Sequence, residues 1–363
     1  MKKTTYEIAE VLNPTKVKAL QEQLIDWYEK NHRKLPWRTT TNPYYIWISE
    51  IMLQQTRVDT VIDYYNRFVE KFPTIKDLAS AEEEVVLKAW EGLGYYSRAK
   101  RIHQTAKILI EKYEGQMPQT YDEIRKLPGI GPYTAGAVAS IAFHQAVPAV
   151  DGNVMRVFSR VFYIKEDITL NTTKKVMEEV GEKVVSRKNP SYFNQGLMEL
   201  GALICTPTSP KCLICPLFQL CRARELGLQK ELPLKQKKPK PKEIVMEMAL
   251  LYKGEKILIM KRPPEGLLGD LWGLPTVEKE ENLEGGKSIK LELEETYGLK
   301  ADNISYIFEK NHVFTHIKWR MQLYRMDLIE EKEIDYPSIQ WVNRQQLKDY
   351  PLPTAFKKLI PSI

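Results

Sequence analysis

All four cysteines of the chain stand within one short segment, and this cluster limits the local fold more than any other feature of the sequence. They are Cys205, Cys212, Cys215 and Cys221. Such close grouping suits a metal centre in a reducing compartment better than a disulfide framework. Four thiolates accept either zinc or an iron–sulfur cluster, since both take tetrahedral sulfur ligands. A single CxxC pair between two outlying cysteines favours iron–sulfur, with zinc or free buried cysteines as the alternatives.

The length and charge of the chain suggest more than one domain and an acidic partner. At 363 residues the chain exceeds what one hydrophobic core usually organises, so two or three domains are expected. A formal net charge of +7 weakly favours a polyanionic partner. No apolar run reaches membrane length and no hydrophobic stretch follows the first residues, so we expect a cytoplasmic protein that is neither membrane-spanning nor secreted.

The spacing of apolar residues changes once along the chain. From Thr15 to about Gly227 they recur every three or four positions, which predicts an all-helical region. Lysine and proline dominate residues 230–242, which leaves little to bury and predicts a solvated linker. The elements predicted after the linker are strands at 244–252, 256–262, 319–326 and 339–342 and a helix at 287–297. The second region is therefore predicted to be a mixed α+β domain.

Two glycine turns are candidates for binding DNA. In the string from Leu127 to Ala135, LPGIGPYTA, Gly129 and Gly131 precede a small-residue helix, whose free N–H groups and positive dipole end suit a phosphate. An ordinary turn between helices is the alternative for so short a motif. A second turn, around Gly94, is followed by Tyr95, a candidate wedge for extruding a base. A tyrosine ring packed inside the protein is the alternative there.

Two carboxylates stand in apolar surroundings. Glu50 lies in the stretch Tyr45–Leu53, where a helix would be buried nearly all round. Burial would raise the pKa of Glu50, as a general acid near neutral pH requires, although a side chain directed into a solvent gap fits the local pattern equally well. Asp151 is placed as a helix N-cap, and an ionised Asp151 held by backbone donors can also stabilise positive charge on a sugar.

Taken together, these motifs resemble the MutY family of adenine DNA glycosylases, within the endonuclease III superfamily. The matching segments cover nearly all of residues 35–221, in order and spacing: LPWR at 35–38, SEIMLQQT at 49–56, LPGIGPYTA at 127–135, VDGNV at 150–154 and the 6-2-5 spacing of the cysteines. The resemblance implies an all-α helix-hairpin-helix glycosylase with a 4Fe-4S cluster on the four cysteines, followed by an α+β Nudix-like domain.

The same resemblance implies domain boundaries. Residues 1–229 would form the glycosylase region. Within it, about 30–140 would be the six-helix domain with the helix-hairpin-helix, and 1–29 with 141–229 the iron–sulfur domain. Residues 230–242 would be the linker, and 243–363 a Nudix-like domain that recognises 8-oxoguanine.

The activity implied is base-excision repair of double-stranded DNA that holds adenine opposite 8-oxoguanine or guanine. In the family, the residue matching Glu50 protonates the adenine ring and then activates water, and the one matching Asp151 stabilises the oxocarbenium-like sugar. Those matching Asn153 and Tyr133 hold these groups in place. Bifunctional relatives have a Schiff-base lysine where Tyr133 stands, so we expect hydrolysis to an abasic site without efficient strand cleavage. A monomer associated with a bacterial nucleoid is also expected.

Further DNA contacts follow from the same resemblance. Arg33, Trp37, Arg38 and Leu53 would surround the adenine. Gln55 would contact the duplex, and Gln195, which is Glu in some family members, would lie near the edge of the adenine.

The second region looks like a Nudix domain that has lost catalysis. Leu291 replaces the signature arginine and Thr296 replaces one signature glutamate, which argues against magnesium-dependent hydrolysis. The segment that matches the lesion-reading loop is Phe314-Thr315-His316. Phe314 would stack in the duplex, while the Thr315 hydroxyl and the His316 ring would hydrogen-bond the oxidised guanine. An ordinary strand end is the alternative for this short segment.

Two other functions remain compatible with the sequence. One is a bifunctional glycosylase and lyase acting on oxidised pyrimidines, against which Tyr133 and the long second region speak. The other is a lesion-binding protein without catalysis, in which Glu50 and Asp151 are only structural.

Overall fold

The N-terminal region is helical, in agreement with its apolar periodicity, in a computed structural model that describes residues 12–236, 239–331 and 337–359. Several helices begin at a proline, where the missing N–H would have had no helical partner in any case. The helices are α1 Pro14–Asn31, α2 Pro43–Leu53, α3 Val58–Lys71, α4 Ile75–Ser80, α5 Glu83–Ala89, α6 Ser97–Tyr113, α7 Tyr121–Arg125, α8 Pro132–Ala142, α9 Gly152–Val161, α10 Asn171–Val184, α11 Pro190–Leu203 and α12 Arg222–Glu225. None of the described helices is both long and apolar enough to cross a membrane.

Two compact units account for the chain. The first comprises the described residues of Met1–Ser80 and Arg101–Lys237, and the second those of Ala81–Lys100 and Lys238–Ile363. The boundaries expected from the sequence stay a prediction, to which the structure adds that Ala81–Lys100 groups with the second unit. Residues 1–11, 237, 238, 332–336 and 360–363, which fall in the predicted iron–sulfur domain, linker and Nudix-like domain, lie outside the described residues.

One hydrophobic cluster of the first unit joins α1, α9, α10 and α11 to the cysteine segment. Its buried members include Leu24, Phe158 and Leu217, and the partly buried Cys205, Cys215 and Cys221 pack against it. The segment that carries the cysteines is therefore anchored on the same core as the helix that begins at Asp151.

The second unit is built on a seven-stranded mixed sheet. Its order is β3-β2-β1-β6-β5, with β4 paired to β1 and β7 paired to β2. β1 and β2 form an antiparallel hairpin, whereas β1 and β6 are parallel. The strands are β1 Lys242–Lys253, β2 Lys256–Lys261, β3 Trp272–Gly273, β4 Thr276–Glu278, β5 Leu299–Val313, β6 Ile317–Glu331 and β7 Ile339–Asn343, with helices α13 Lys287–Tyr297 and α14 Thr354–Lys357.

Both faces of this sheet are covered near its centre. Met248 and Leu250 of β1 pack into one cluster with Trp272 and Phe356, while Leu251 packs on the other face with α13. The all-helical and α+β fold classes expected from the sequence are those that the structure has. The long strand β5 was not expected, because most of its residues are exposed or half-buried and give no clear alternation.

Candidate active site

Glu50 is buried in α2, and the apolar sequence around it is the reason. An asparagine N-cap and Pro43 begin this helix, and its residues 46–52 are all buried. The Glu50 side chain is 5% exposed. The expectation of a helix buried nearly all round therefore holds, and Glu50 is not directed into an open solvent gap.

The environment of Glu50 shifts its titration to near neutral pH. Burial, and to a smaller extent the nearby Asp151, raise the pKa of Glu50, while a hydrogen bond from Tyr133 and the charge of Arg38 lower it, and the resulting pKa is about 7. The Tyr133 hydroxyl donates to Glu50 Oε2 and also contacts Met198 Sδ at 3.6 Å. Burial holds the pKa of Tyr133 well above its usual value, so its hydroxyl stays neutral and remains a donor.

Asp151 is the N-cap of α9, as its sequence setting predicts. Its Oδ1 accepts from the Val154 N–H at 2.7 Å, and its Oδ2 accepts from Asn153 Nδ2 at 2.8 Å. Burial raises the pKa of Asp151, and the hydrogen bonds from Val154 and Asn153 only partly offset this. A carboxylate so poorly hydrated gains most when a positive charge appears beside it.

Asn153 is itself held from the other side. Its Oδ1 accepts from Arg156 at 2.8 Å, and the same guanidinium donates to the Gly201 carbonyl at 2.8 Å and to the Cys205 carbonyl at 2.7 Å. The carboxylate of Asp151 is thus fixed by a chain of hydrogen bonds that ends at the first cysteine.

A cavity of about 470 Å³, including its opening to solvent, lies beside Glu50 in the first unit. Seven residues predicted for the active site line this cavity: Arg33, Trp37, Arg38, Glu50, Leu53, Tyr133 and Gln195. Its other lining residues are Leu35, Ile46, Ser49, Val58, Ile141 and Met198. Asp151, Asn153 and Gln55 are not among its lining residues.

Two of the other predicted contacts have clear local settings. The Gln195 amide oxygen accepts from the Tyr28 hydroxyl at 2.9 Å, and its nitrogen donates to Ser191 Oγ at 3.0 Å, so the amide has a fixed orientation. Gln55 is exposed just after α2, with a positive φ of 58°.

The sequence analysis missed Glu199 on α11, a charged residue that binds two of the arginines lining this cavity. Its side chain is 1% exposed and accepts from both Arg33 and Arg38. Those hydrogen bonds and charges outweigh burial and lower the pKa of Glu199 to about 2. The signal was present in the sequence, because Glu199 interrupts an apolar helix much as Glu50 does.

The glycine turn at Gly129 and Gly131 joins α7 to α8 as a helix-hairpin-helix. Gly129 has φ 74°, and a Cβ there would lie 2.8 Å from the Arg101 side chain, so glycine is required. Gly131 is the N-cap of α8, is exposed, and has nothing within 4 Å of an added Cβ. The free N–H groups at the start of α8 are thus open to a phosphate.

The four cysteines line one cavity in the first unit, with Leu200, Phe218 and Arg224 among its other lining residues. Buried Arg160 donates to Cys205 Sγ at 3.2 Å. No three His, Cys, Asp or Glu side chains of the described residues are grouped so as to hold a single metal ion, these cysteines included. Four soft donors around one space, with a cation hydrogen-bonded to one sulfur, fit an anionic iron–sulfur cluster.

In the second unit, Phe314-Thr315-His316 forms the tip between β5 and β6. Thr315 and His316 are exposed, while Phe314 is half-buried with its ring 4.9 Å from that of Trp319. The Thr315 hydroxyl is 2.9 Å from that of Tyr95, which is 44% exposed and lies under the Arg98 guanidinium. Tyr95 is therefore not a ring packed inside the protein.

The chain matches families of repair proteins along most of its length. The HhH-GPD superfamily of base excision DNA repair proteins matches residues 48–185, the iron–sulfur binding domain of endonuclease III matches 205–221, and the NUDIX domain matches 247–362. The adenine DNA glycosylase of Homo sapiens is 35% identical over 402 residues, which cover 94% of this chain and 73% of the human protein. The chain belongs to the adenine DNA glycosylases.

Solved structures agree with this membership for the first region. A thermostable thymine-DNA glycosylase is 31% identical, with a TM-score of 0.54 over 58% of this chain and 98% of that one. A trapped endonuclease III–DNA covalent intermediate is 26% identical, with a TM-score of 0.51 over 60% and 99%. This adenine DNA glycosylase thus has the endonuclease III-like fold predicted for it.

Membership confirms several of the sequence-based expectations. The protein is a base-excision repair N-glycosylase that acts on DNA, it carries an iron–sulfur cluster, and its C-terminal domain is Nudix-like. The zinc alternative is therefore wrong. The range matched by the iron–sulfur domain begins at Cys205 and ends at Cys221, so it contains every cysteine of the adenine DNA glycosylase.

Proposed function

We propose that this adenine DNA glycosylase hydrolyses the N-glycosidic bond of adenine opposite 8-oxoguanine or guanine and leaves an abasic site. One observation carries the proposal: buried Glu50, whose pKa is raised to about 7, lines a cavity, and Asp151 is near enough to raise that pKa. Two carboxylates in different environments are what a general acid and a charge stabiliser need.

Glu50 is the general acid of the proposed reaction. Its carboxylic acid gives a proton to a ring nitrogen of the extruded adenine, and the bond from the base to C1′ breaks with its electron pair staying on the base. The carboxylate left behind then takes a proton from water, whose oxygen bonds to C1′. The hydrogen bond from Tyr133 supports this cycle, because it stabilises the carboxylate between the two proton transfers.

Asp151 stabilises the sugar while the base departs. Its fixed and poorly hydrated carboxylate favours the positive charge that develops on the deoxyribose. Asn153, held by Arg156, keeps Asp151 Oδ2 in place.

Strand cleavage is not part of the proposed activity. A lyase step needs an amine that forms a Schiff base with the sugar, and Tyr133, which lines the cavity, has no amine. The bifunctional alternative is therefore disfavoured, and the non-catalytic alternative is disfavoured by the raised pKa of a carboxyl that faces a cavity.

The remaining predicted contacts divide between adenine, duplex and lesion. Arg33, Trp37, Arg38, Leu53 and Gln195 would surround the adenine, which their shared cavity supports. The residues proposed for the DNA backbone and the duplex are Gly129, Gly131 and Gln55, and those for the lesion and its neighbours are Tyr95, Phe314, Thr315 and His316. The exposure of Thr315 and His316 supports a reading role for their polar groups.

The four thiolates of Cys205, Cys212, Cys215 and Cys221 are proposed to hold the cluster. When bound, the cluster would brace the segment against the core that also carries α9, or sense redox state. We further propose a monomer that works on the nucleoid of a bacterial cytoplasm.

The proposed substrate is tested with a panel of duplexes. The purified protein is incubated with adenine opposite 8-oxoguanine, guanine or thymine, and with a thymine-glycol duplex, before and after alkali. We expect alkali-dependent breaks with the first two alone. Nicking of the thymine-glycol duplex without alkali, together with covalent trapping by borohydride, would establish the bifunctional alternative instead.

A further inference from the structure

Glu199 is a buried carboxylate that the proposed reaction does not use, and it binds two arginines that line the cavity beside Glu50. Its Oε1 accepts from the Arg33 backbone N–H at 2.9 Å and from Arg33 Nε at 2.9 Å. Its Oε2 accepts at 2.8 Å from a terminal nitrogen of Arg33 and at 2.8 Å from one of Arg38. Four donors thus converge on a single carboxylate.

The two arginines that this carboxylate binds both line the cavity. Arg38 also donates to the Arg33 carbonyl at 3.0 Å and lies over the Tyr28 ring at 5.5 Å. The side chains of Arg33 and Arg38 are 33% and 11% exposed, and both line the cavity. Long, flexible side chains keep one such geometry only when a partner fixes it.

The negative charge of Glu199 also affects the protonation of Glu50 through Arg38. The groups that act on Glu50 are Tyr133, Asp151 and Arg38, and the Arg38 cation favours ionised Glu50. Glu199 is ionised at every pH of interest, because the pKa of its carboxyl is about 2, while the pKa of neighbouring Tyr28 is raised to about 12. The anion of Glu199 therefore offsets the cation that would otherwise withdraw the proton from Glu50.

We propose that Glu199 is a positioning residue of the adenine pocket, which fixes Arg33 and Arg38 against the base and keeps their charge from deprotonating the catalytic acid Glu50. This inference rests on the proposed general-acid role of Glu50. The ion pair of Glu199 with the two arginines then has a role besides stability. Buried ion pairs often contribute little to stability.

The test replaces Glu199 by glutamine in the full-length holoenzyme, which keeps the size of the side chain and removes its charge. Single-turnover adenine release from an adenine:8-oxoguanine duplex is measured from pH 5.5 to 9 at saturating enzyme. The alkaline limb is the part of the profile in which the rate falls as pH rises. With Glu199→Gln, this limb should begin about one pH unit lower than in the wild type. The rate of the variant relative to the wild type should then be roughly tenfold lower at pH 8 than at pH 6, because the rate on this limb changes tenfold for each pH unit.

Three further variants separate this role from a merely structural one. Glu199→Asp keeps the charge and should restore much of the limb position. Glu111→Gln removes an exposed carboxylate from the same unit and should leave the profile unchanged. If Glu199→Gln alone does not fold, Arg38→Gln is compared with Arg38→Gln/Glu199→Gln. The double variant should have its limb at lower pH than Arg38→Gln, because Arg33, which also lines the cavity, has then lost its buried carboxylate partner.

A Glu199→Gln enzyme that folds but loses rate equally at every pH would overturn the inference, as would a double variant whose limb coincides with that of Arg38→Gln. Failure of the proposed function is distinguishable, because the wild-type enzyme would then release no adenine or show no alkaline limb.

Discussion

Polar side chains are buried around the cavity beside Glu50, the proposed adenine pocket, whereas they are exposed at the tip between β5 and β6. In the pocket, Glu50 and Glu199 are almost completely buried and their hydrogen-bond donors come from the chain itself. At the tip, Thr315 and His316 are exposed to solvent. The difference fits the two proposed tasks: an acid catalyst is desolvated before its substrate arrives, whereas groups proposed to read a base lose their water when the base binds.

Burying Glu50 is unfavourable by itself, and the surrounding helix makes it possible. Trp47, Ile48 and Met52 of the same helix are at most 1% exposed. Each such side chain stabilises the fold by about 1.5–3 kcal/mol when fully buried. The apolar faces of α2 thus offset one poorly hydrated carboxyl, and the tip needs no comparable support.

The largest effect is expected from Glu50→Gln, which tests whether the buried carboxyl of the pocket is the acid. The amide keeps the size and can still accept from Tyr133, but it has no proton to give at neutral pH. We expect adenine release to fall about 10²–10⁴-fold, the range usual for a general acid, while duplex binding is retained. Rapid quench under single-turnover conditions and a gel-shift titration measure the two effects.

Glu70→Gln, an exposed change in the same unit, is the matched control and should have wild-type turnover. Wild-type turnover by Glu50→Gln itself would remove Glu50 from the chemistry.

Stability should respond to Glu50 as well, in a direction set by its raised pKa. The pKa of about 7 in the folded protein lies above the ordinary 4.5, so the folded state loses stability relative to the unfolded state as pH rises between these values. Glu50→Gln cannot ionise and should gain about 3 kcal/mol on the wild type between pH 4.5 and pH 8. Denaturant unfolding of both proteins at the two pH values measures this, and an equal difference at both would contradict the burial of the charge.

The sequence predicted those parts of the site that depend on neighbouring residues. An apolar stretch around Glu50 indicates burial, and an aspartate before a helix indicates an N-cap, because both effects act within one or two turns. The clamp between Glu199 and Arg33 joins residues 166 positions apart. No local pattern encodes such a contact, although the charge at Glu199 in an apolar helix could have raised the question.

The fold shows the same division. Helix α13 was predicted with its observed bounds, since its apolar spacing and the following Gly298 mark it locally. Strand β5 was missed, because it is paired with β6 alone and has few buried residues to produce alternation. The grouping of Ala81–Lys100 with the second unit depends on tertiary contacts such as Glu84 with Lys261, which the sequence cannot indicate.

The pH dependence of wild-type turnover tests whether the buried Glu50 of the pocket acts in its protonated form. Because protonated Glu50 is the active form and the pKa is about 7, the single-turnover rate should be level below pH 6 and fall about tenfold for each pH unit above pH 7.5. Binding to a duplex with a non-cleavable adenine analogue opposite 8-oxoguanine, measured over the same range, should not share this limb. A rate that is flat to pH 9 would mean that Glu50 acts in its ionised form.

The smallest effect is expected at the tip, where Thr315→Ala removes an exposed hydroxyl. A hydrogen bond to the lesion is worth about 1 kcal/mol net, so the preference for adenine opposite 8-oxoguanine over adenine opposite guanine should fall about fivefold. Thr315→Ser keeps the hydroxyl and should keep the preference. Both variants leave the pocket intact, so their maximal rates with 8-oxoguanine duplexes at saturating enzyme should equal that of the wild type. If Thr315→Ala instead lowers that maximal rate and spares the preference, the tip contributes to catalysis, and the division between a desolvated pocket and a solvated reading surface is wrong.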